Sequence, residues 1–80
     1  MSLVFGKRLR GLRRLKRHTQ QSMSEKLGIS VSMLSNIERG KKSPNYELIK
    51  KMAVILHVPM EELFVLPEGE EQIQSKVKNL

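Results

Sequence analysis

The sequence predicts a small domain built only of α-helices. Apolar residues recur at steps of three and four, the period of an amphipathic helix, and no stretch shows the alternation of a half-buried strand. Capping residues, glycines and prolines interrupt this pattern at short intervals. We therefore expect a compact five-helix domain over residues 1–66 and a C-terminal segment, residues 67–80, that forms either a tail or a short helix.

The first helix is expected over residues 5–16. Four apolar residues at helical spacing form its buried stripe: Phe5, Leu9, Leu12 and Leu15. Gly6 and Gly11 interrupt this helix, and each costs about 1 kcal/mol relative to alanine in a helix interior. Packing against other helices must therefore compensate for them.

Two short helices follow, joined by a tight turn. Thr19 and Ser30 are candidate N-caps, and Gly28 supplies the left-handed conformation that ends the second helix. Ile29 is expected to point inward, and the third helix is expected to end near Glu38. Met23 and Leu27 form the apolar face of the second helix, and a small shared core is predicted from Met23, Leu34 and Ile37 together with Ile29.

Residues 40–44 form a loop, and Asn45 is positioned to cap a fourth helix. Its core face is predicted to consist of Tyr46, Ile49, Met52, Ala53 and Leu56. Pro59 is expected near the start of a fifth helix with Leu63 turned inward.

Charge is distributed unevenly along the chain. The net charge is +7, and residues 1–60 contain 13 Lys and Arg residues against three Glu. The densest run, residues 7–17, contains seven cations and no acid. Such a balance favours a polyanionic partner such as nucleic acid, although a basic run by itself can equally be a solvated helix face.

The helix–turn–helix segment from Gln20 to Glu38 gives this charge a specific meaning. Two short helices locked at a fixed angle by Gly28 and Ile29 leave the outer face of the second helix free to enter a major groove. That face carries short side chains that permit close approach to base edges: Val31, Ser32, Ser35 and Asn36.

From Gly6 to Leu63 the sequence resembles the Xre/Cro-type helix-turn-helix regulators, the group that includes lambdoid phage repressors. The matching segments are LRGLR at 9–13, TQ at 19–20, EKLGIS at 25–30 and LSNIERGK at 34–41, with Pro44 and Leu56 at the expected distances beyond. The resemblance implies a five-helix lambda-repressor-like domain, with the helix-turn-helix at helices 2–3, that binds operator DNA as a dimer.

The resemblance also assigns roles to individual residues. It implies base readout by Val31, Ser32 and Asn36 and a phosphate contact by Gln20, beside which we include Thr19 and Gln21. The chain after the third helix is expected to contact phosphates through Arg39, Gly40, Lys41 and Lys42. It further implies that Arg13 pairs with Glu38.

Four positions depart from the family pattern. Arg17 stands where members often have glycine at the end of the first helix, and His18 stands where they often have leucine. His57 and Pro59 replace glycine and serine between the fourth and fifth helices. These departures concern packing, so the connections around them are less predictable than the reading helix.

The expected partners are a palindromic double-stranded DNA operator and a second copy of the chain. A protein effector is a further candidate partner, and any effector would have to act on dimerisation or through a partner. The dimer surface is sought either around Leu48 and Ile55 or in the tail residues Ile73, Val77 and Leu80. We expect a cytoplasmic regulator, most simply a repressor or autoregulator. No cofactor and no metal are expected, because the two histidines have no second ligand at metal spacing.

Other classes of function are disfavoured by the residues. An enzyme is not expected, because the chain contains no Asp, no Cys and no nucleophile–base arrangement. A membrane-surface helix at residues 5–17 would explain the cations, but its leucines are better explained as core. A protein-interaction module of the same fold remains the alternative, and it would bind DNA weakly and without sequence preference.

Overall fold

The computed structural model describes residues 3–65, and in this part of the chain all regular structure is helical. There are four α-helices: α1 (Leu3–Leu15), α2 (Gln20–Leu27), α3 (Val31–Glu38) and α4 (Tyr46–Leu56). A short 3-10 helix, Met60–Phe64, follows α4. None of these described helices is both long enough and apolar enough to cross a membrane.

The helices surround a single apolar core. Except for Leu15 and Tyr46, each helix contributes the core residues that its periodicity predicts, and the buried set consists of Phe5, Leu9, Leu12, Met23, Leu27, Leu34, Ile37, Ile49, Met52, Ala53, Leu56 and Leu63. Ile29 in the turn after α2 is partly buried against this core. At one end the ring of Phe5 lies 5.4 Å from that of Phe64, which joins α1 to the 3-10 helix.

Three helices begin at the predicted capping residues. The Thr19 hydroxyl accepts a hydrogen bond of 2.9 Å from the Ser22 amide, and Ser30 accepts one of 3.0 Å from Met33. Asn45 accepts from the Leu48 amide at 2.8 Å. Each cap satisfies an amide that has no partner within its own helix, so the sequence fixes where α2, α3 and α4 start.

All four α-helices end in the same way. The residue that closes each helix has a positive φ: 65° at Arg17, 75° at Gly28, 78° at Gly40 and 57° at His57. At each end its amide and the next one donate back to carbonyls of the last turn, as in the bonds Gly28 to Glu25 and Ile29 to Ser24. Arg17 and His57 adopt this conformation without being glycine, at the two positions where the resemblance implies glycine.

Two expected core residues are exposed. Leu15, the last residue of α1, is 73% exposed, because the buried face of this turn is the one that carries Arg13. Tyr46 is 63% exposed at the first position of α4, and its ring lies under the Lys50 ammonium at 5.4 Å instead of in the core. The prediction of a buried position was wrong for both.

The fifth helix also differs from the expectation. Pro59 precedes it as predicted and Leu63 is buried, but the segment is a 3-10 helix of five residues. Arg8 holds it against α1, with Nε donating to the Glu62 carbonyl at 2.8 Å and Nη2 to the Glu62 carboxylate at 2.7 Å. The expected short helix or tail at residues 67–80 lies outside the described residues.

Gly6 allows α1 to cross the end of α3 at very short distance. A Cβ atom at this position would lie 2.6 Å from the Ile37 carbonyl oxygen and closer still to that of Glu38. Both are backbone atoms, so neither can swing away. Gly11 is in the same helix, but a Cβ there would meet nothing within 4 Å.

Alanine substitutions at these two glycines should therefore have opposite effects. Gly11→Ala should stabilise the domain by about 0.5–1 kcal/mol, because alanine favours a helix interior. Gly6→Ala gains the same propensity but forces α1 away from α3, and overpacking of this kind costs about 1–3 kcal/mol or more. Urea unfolding followed by circular dichroism measures both changes; equal effects at the two sites would contradict the close crossing.

Candidate nucleic-acid interface

The turn between α2 and α3 directs one face of α3 into solvent. Gly28 and the two backbone hydrogen bonds around it turn the chain after Leu27. Ser30, two residues after Gly28, caps the start of α3. Ser24 is a small residue on the buried side of α2, and its hydroxyl donates to the Gln21 carbonyl at 2.9 Å. With Leu34 and Ile37 in the core, the opposite face of α3 must point outward.

The four predicted base-reading residues all lie outside the core. Val31 is 42% exposed, Ser32 is also exposed, and Ser35 and Asn36 are half-buried. The structure thus brings them together along one accessible side of a helix of eight residues. A side chain on this face can reach a ligand without any change in the fold.

Asn36 is held by a neighbouring side chain. Arg39 Nη2 donates to Asn36 Oδ1 at 3.2 Å, which leaves the Asn36 amide group without a described partner. Arg39 was expected to contact phosphate, and this additional contact was missed. The spacing of three residues at the end of a helix was the available signal, because side chains at i and i+3 are neighbours.

A buried ion pair joins α1 to the last residue of α3. Arg13 Nε donates to Glu38 Oε2 at 2.7 Å and Nη2 to Oε1 at 3.2 Å, and only 7% and 1% of the two side chains is exposed. Arg13 Nη1 also donates to the His18 carbonyl at 2.9 Å. The pairing that the resemblance implied is therefore present, and it extends to the turn after α1.

The same carboxylate orients Gln20. Its Nε2 donates to Glu38 Oε1 at 3.1 Å, so Glu38 links α1, α2 and α3. Since a primary amide carries two hydrogens, Nε2 retains one donor for a further partner. Exposed Thr19 and Gln21 flank it. The sequence singled out Gln20 but gave no indication that the Glu38 carboxylate would hold its side chain.

Cations surround the segment that follows α3. Arg39, Lys41 and Lys42 are exposed, and Gly40 is half-buried at the turn. The Lys41 and Lys42 amides donate to the Asn36 carbonyl at 2.8 and 3.3 Å, so this turn has a defined geometry. In residues 3–65 the ion pairs formed are Arg8–Glu62 and Arg13–Glu38, so the three cations after α3 are not neutralised within the described part.

The surroundings of His18 lower the pKa of its imidazole. Its pKa lies below the usual 6.5, chiefly because partial burial disfavours the imidazolium, and also because Lys26, His57 and Arg13 repel a positive charge there. No group of three metal-binding side chains occurs within residues 3–65. The lowered pKa favours the neutral imidazole of His18, which is half-buried in the turn after α1.

Removal of the Glu38 carboxylate should destabilise the domain strongly. Glu38→Ala leaves the Arg13 guanidinium buried without its counter-ion, which costs about 3–5 kcal/mol. Glu62→Ala is the matched control, because it breaks the Arg8–Glu62 pair, whose side chains are 28% and 45% exposed; such pairs contribute about 0–1 kcal/mol. Similar losses in urea unfolding would show that the buried pair has no special role.

The domain should also lose stability as the pH falls from 7.5 to 5.5. The unfolded chain protonates His18 near the ordinary pKa, whereas the folded chain resists protonation until a lower pH, so acid favours the unfolded state. His18→Gln should reduce this loss. Urea unfolding at both pH values measures it, with the wild type as reference; an unchanged pH dependence would exclude His18 as its source.

Comparisons with known proteins agree with this geometry. Residues 9–63 match the Helix-turn-helix family (HTH_3). The chain is 42% identical over 60 residues to the HTH-type transcriptional regulator YazB of Bacillus subtilis. The alignment covers 75% of this chain and 87% of YazB.

Two solved structures are similar. The restriction-modification controller protein C.AhdI of Aeromonas hydrophila has a TM-score of 0.72 and 35% identity, over 76% of this chain and 94% of that one. The clp gene regulator ClgR of Corynebacterium glutamicum has a TM-score of 0.79 and 25% identity, over 95% and 81%. The chain therefore belongs to the Xre/Cro-type helix-turn-helix family and is a transcriptional regulator with a DNA-binding domain.

Proposed function

We propose that this protein binds a palindromic DNA operator as a homodimer and represses transcription, with α3 of each copy inserted in a major groove. The observation that carries the proposal is the outward face of α3, where Val31, Ser32, Ser35 and Asn36 are accessible and opposite a buried stripe. A helix that presents short polar and small apolar side chains at its N-terminal end can approach base edges closely.

Phosphate contacts on both sides of α3 would fix its position. On one side are Thr19, which caps α2, and the first two residues of that helix, Gln20 and Gln21. The Gln20 and Gln21 amides begin a helix and have no intrahelical acceptor, so they suit a phosphate. On the other side are Arg39, Gly40, Lys41 and Lys42, whose unneutralised charges attract the DNA backbone.

Asn36 is the residue we assign to adenine recognition. Its Oδ1 can accept from the adenine amino group and its Nδ2 can donate to N7, a bidentate contact worth about 1–3 kcal/mol of discrimination. The hydrogen bond from Arg39 already orients Oδ1. Val31 offers a methyl surface for thymine, and Ser32 and Ser35 offer hydroxyls.

A dimer would place two reading helices one turn of DNA apart, about 34 Å. The predicted residues Leu48 and Ile55 are half-buried against the core, while the neighbouring Val54 is 72% exposed, so α4 presents apolar surface for a second copy. A dimer that occupies adjacent major grooves excludes other proteins from them. Repression follows wherever the operator overlaps a promoter.

Selection of bound duplexes from a random pool tests the proposal directly. A dimeric operator binder should enrich an inverted repeat whose half-sites are about 10 base pairs apart. Enrichment of a single half-site would refute the dimer. Absence of any enrichment, with weak binding at physiological salt, would instead support the protein-interaction alternative.

Asn36→Ala should change sequence preference, whereas Lys42→Ala should not. Loss of the amide removes discrimination at one base pair in each half-site, so all four bases should become similarly tolerated there. Lys42→Ala is the matched comparison: it should weaken binding to every duplex alike and make the plot of log affinity against log salt shallower by about one unit. Fluorescence anisotropy with single-base-pair variants of the selected site measures both effects.

An unaltered base preference in Asn36→Ala would exclude Asn36 from readout. An unaltered salt dependence in Lys42→Ala would exclude a phosphate contact there. The two substitutions lie on the surface or close to it, so urea unfolding should show little change and can confirm that each variant is folded.

A further inference from the structure

Arg17 occupies a backbone conformation that suits glycine better. Its φ of 65° places it in the left-handed region, and the Arg17 and His18 amides close α1 by donating to Arg14 and Arg13, each at 3.0 Å. α2 and α3 end in the same geometry with glycine. For a residue with a Cβ this conformation is unfavourable, so the arginine is present despite a stability cost.

The turn that contains Arg17 is fixed beside Gln20. Arg13 Nη1 donates to the carbonyl of His18, the next residue, and the same guanidinium binds Glu38. Glu38 in turn accepts from Gln20. The residue after Arg17 is therefore linked through Arg13 and Glu38 to Gln20, the proposed phosphate contact of α2, so the turn that carries Arg17 is tied to this cluster.

The charge of Arg17 has no counter-ion in this part of the molecule. Its side chain is exposed, and none of the ion pairs within residues 3–65 includes it. The first acid after it in the sequence is Glu25, and the run from Lys7 to Arg17 contains none. Arg10 and Arg14 on α1 are also exposed cations, so the charge around Arg17 favours a negatively charged partner.

We propose that Arg17 is an additional DNA-contacting residue, whose guanidinium binds a backbone phosphate next to the one bound by Gln20. This inference rests on the proposed function, because it needs α3 in the groove to bring the α1–α2 turn to the backbone. An arginine suits this contact, because its guanidinium donates to phosphate oxygens in a planar, bidentate arrangement. The residue thus exchanges stability of the free domain for affinity.

Arg17→Gly should change stability and DNA binding in opposite directions. Removal of the left-handed arginine should raise the melting temperature by about 4–8 °C. Loss of one phosphate contact should lower the affinity about threefold to tenfold near 0.1 M salt and make the salt dependence shallower by about 0.9. Arg17→Lys should retain most of the salt dependence, because it keeps the charge. Fluorescence anisotropy over a salt series and thermal unfolding measure the two properties.

Two controls separate a contact from general effects. Lys50→Gln removes one exposed cation from α4, where its ammonium lies over Tyr46, and should leave the salt dependence unchanged. His57→Gly relieves the same backbone conformation at the end of α4 and should raise the melting temperature by a similar amount. Comparison with His57→Gly shows how much of any change in binding comes from stability alone.

The measurements should use two 20-base-pair duplexes, one that carries the selected operator and one of random sequence. A phosphate contact predicts the same loss of salt dependence on both. An unchanged dependence in Arg17→Gly, or an equal change in Lys50→Gln, would overturn the inference while leaving the operator proposal intact. If the wild type does not distinguish the two duplexes, the operator proposal fails, and the random duplex still reports whether Arg17 binds phosphate.

Discussion

The Glu38 carboxylate is the group on which the arrangement of α3 depends. It accepts hydrogen bonds from Arg13 on α1 and Gln20 on α2 while it belongs to the last turn of α3. A buried carboxylate without such donors would be strongly unfavourable, so each of the three helices is constrained to remain where its donor or acceptor is needed. Gly6 completes the constraint, because it lets α1 lie against the backbone at the same end of α3.

This arrangement separates the functions of the two faces of α3. Leu34 and Ile37 hold it in the core, and Glu38 fixes its end, so the outward side chains contribute little to folding. Residues such as Val31 and Ser32 can therefore change without loss of the fold. Under the proposed function, the sequence preference would change through substitutions on this exposed face, while the buried side preserves the angle at which the helix is presented.

Much of this could be predicted from the sequence, because local signals coincide with tertiary ones. The side chains of Thr19, Ser30 and Asn45 can cap a helix, so they predict where helices start. Gly28 lies between two short apolar helical patterns, so it predicts a left-handed residue at the end of the first of them. Leu15 and Tyr46 were misplaced because periodicity gives a direction but does not say whether another helix lies there. The left-handed Arg17 and His57 were not predictable from propensity, since only tertiary packing can hold a non-glycine residue in that conformation.

The hydrogen bond from Arg39 to Asn36 has a thermodynamic consequence. An unrestrained asparagine samples several rotamers, and freezing it against a base would reduce the binding free energy by the entropy lost. Here a guanidinium one turn along the helix favours one orientation before any ligand arrives, so part of that entropy is already lost in the free protein. If Asn36 reads a base as proposed, the contacting surface is in this sense partly assembled in the free protein, and association needs less local reorganisation than a flexible side chain would require.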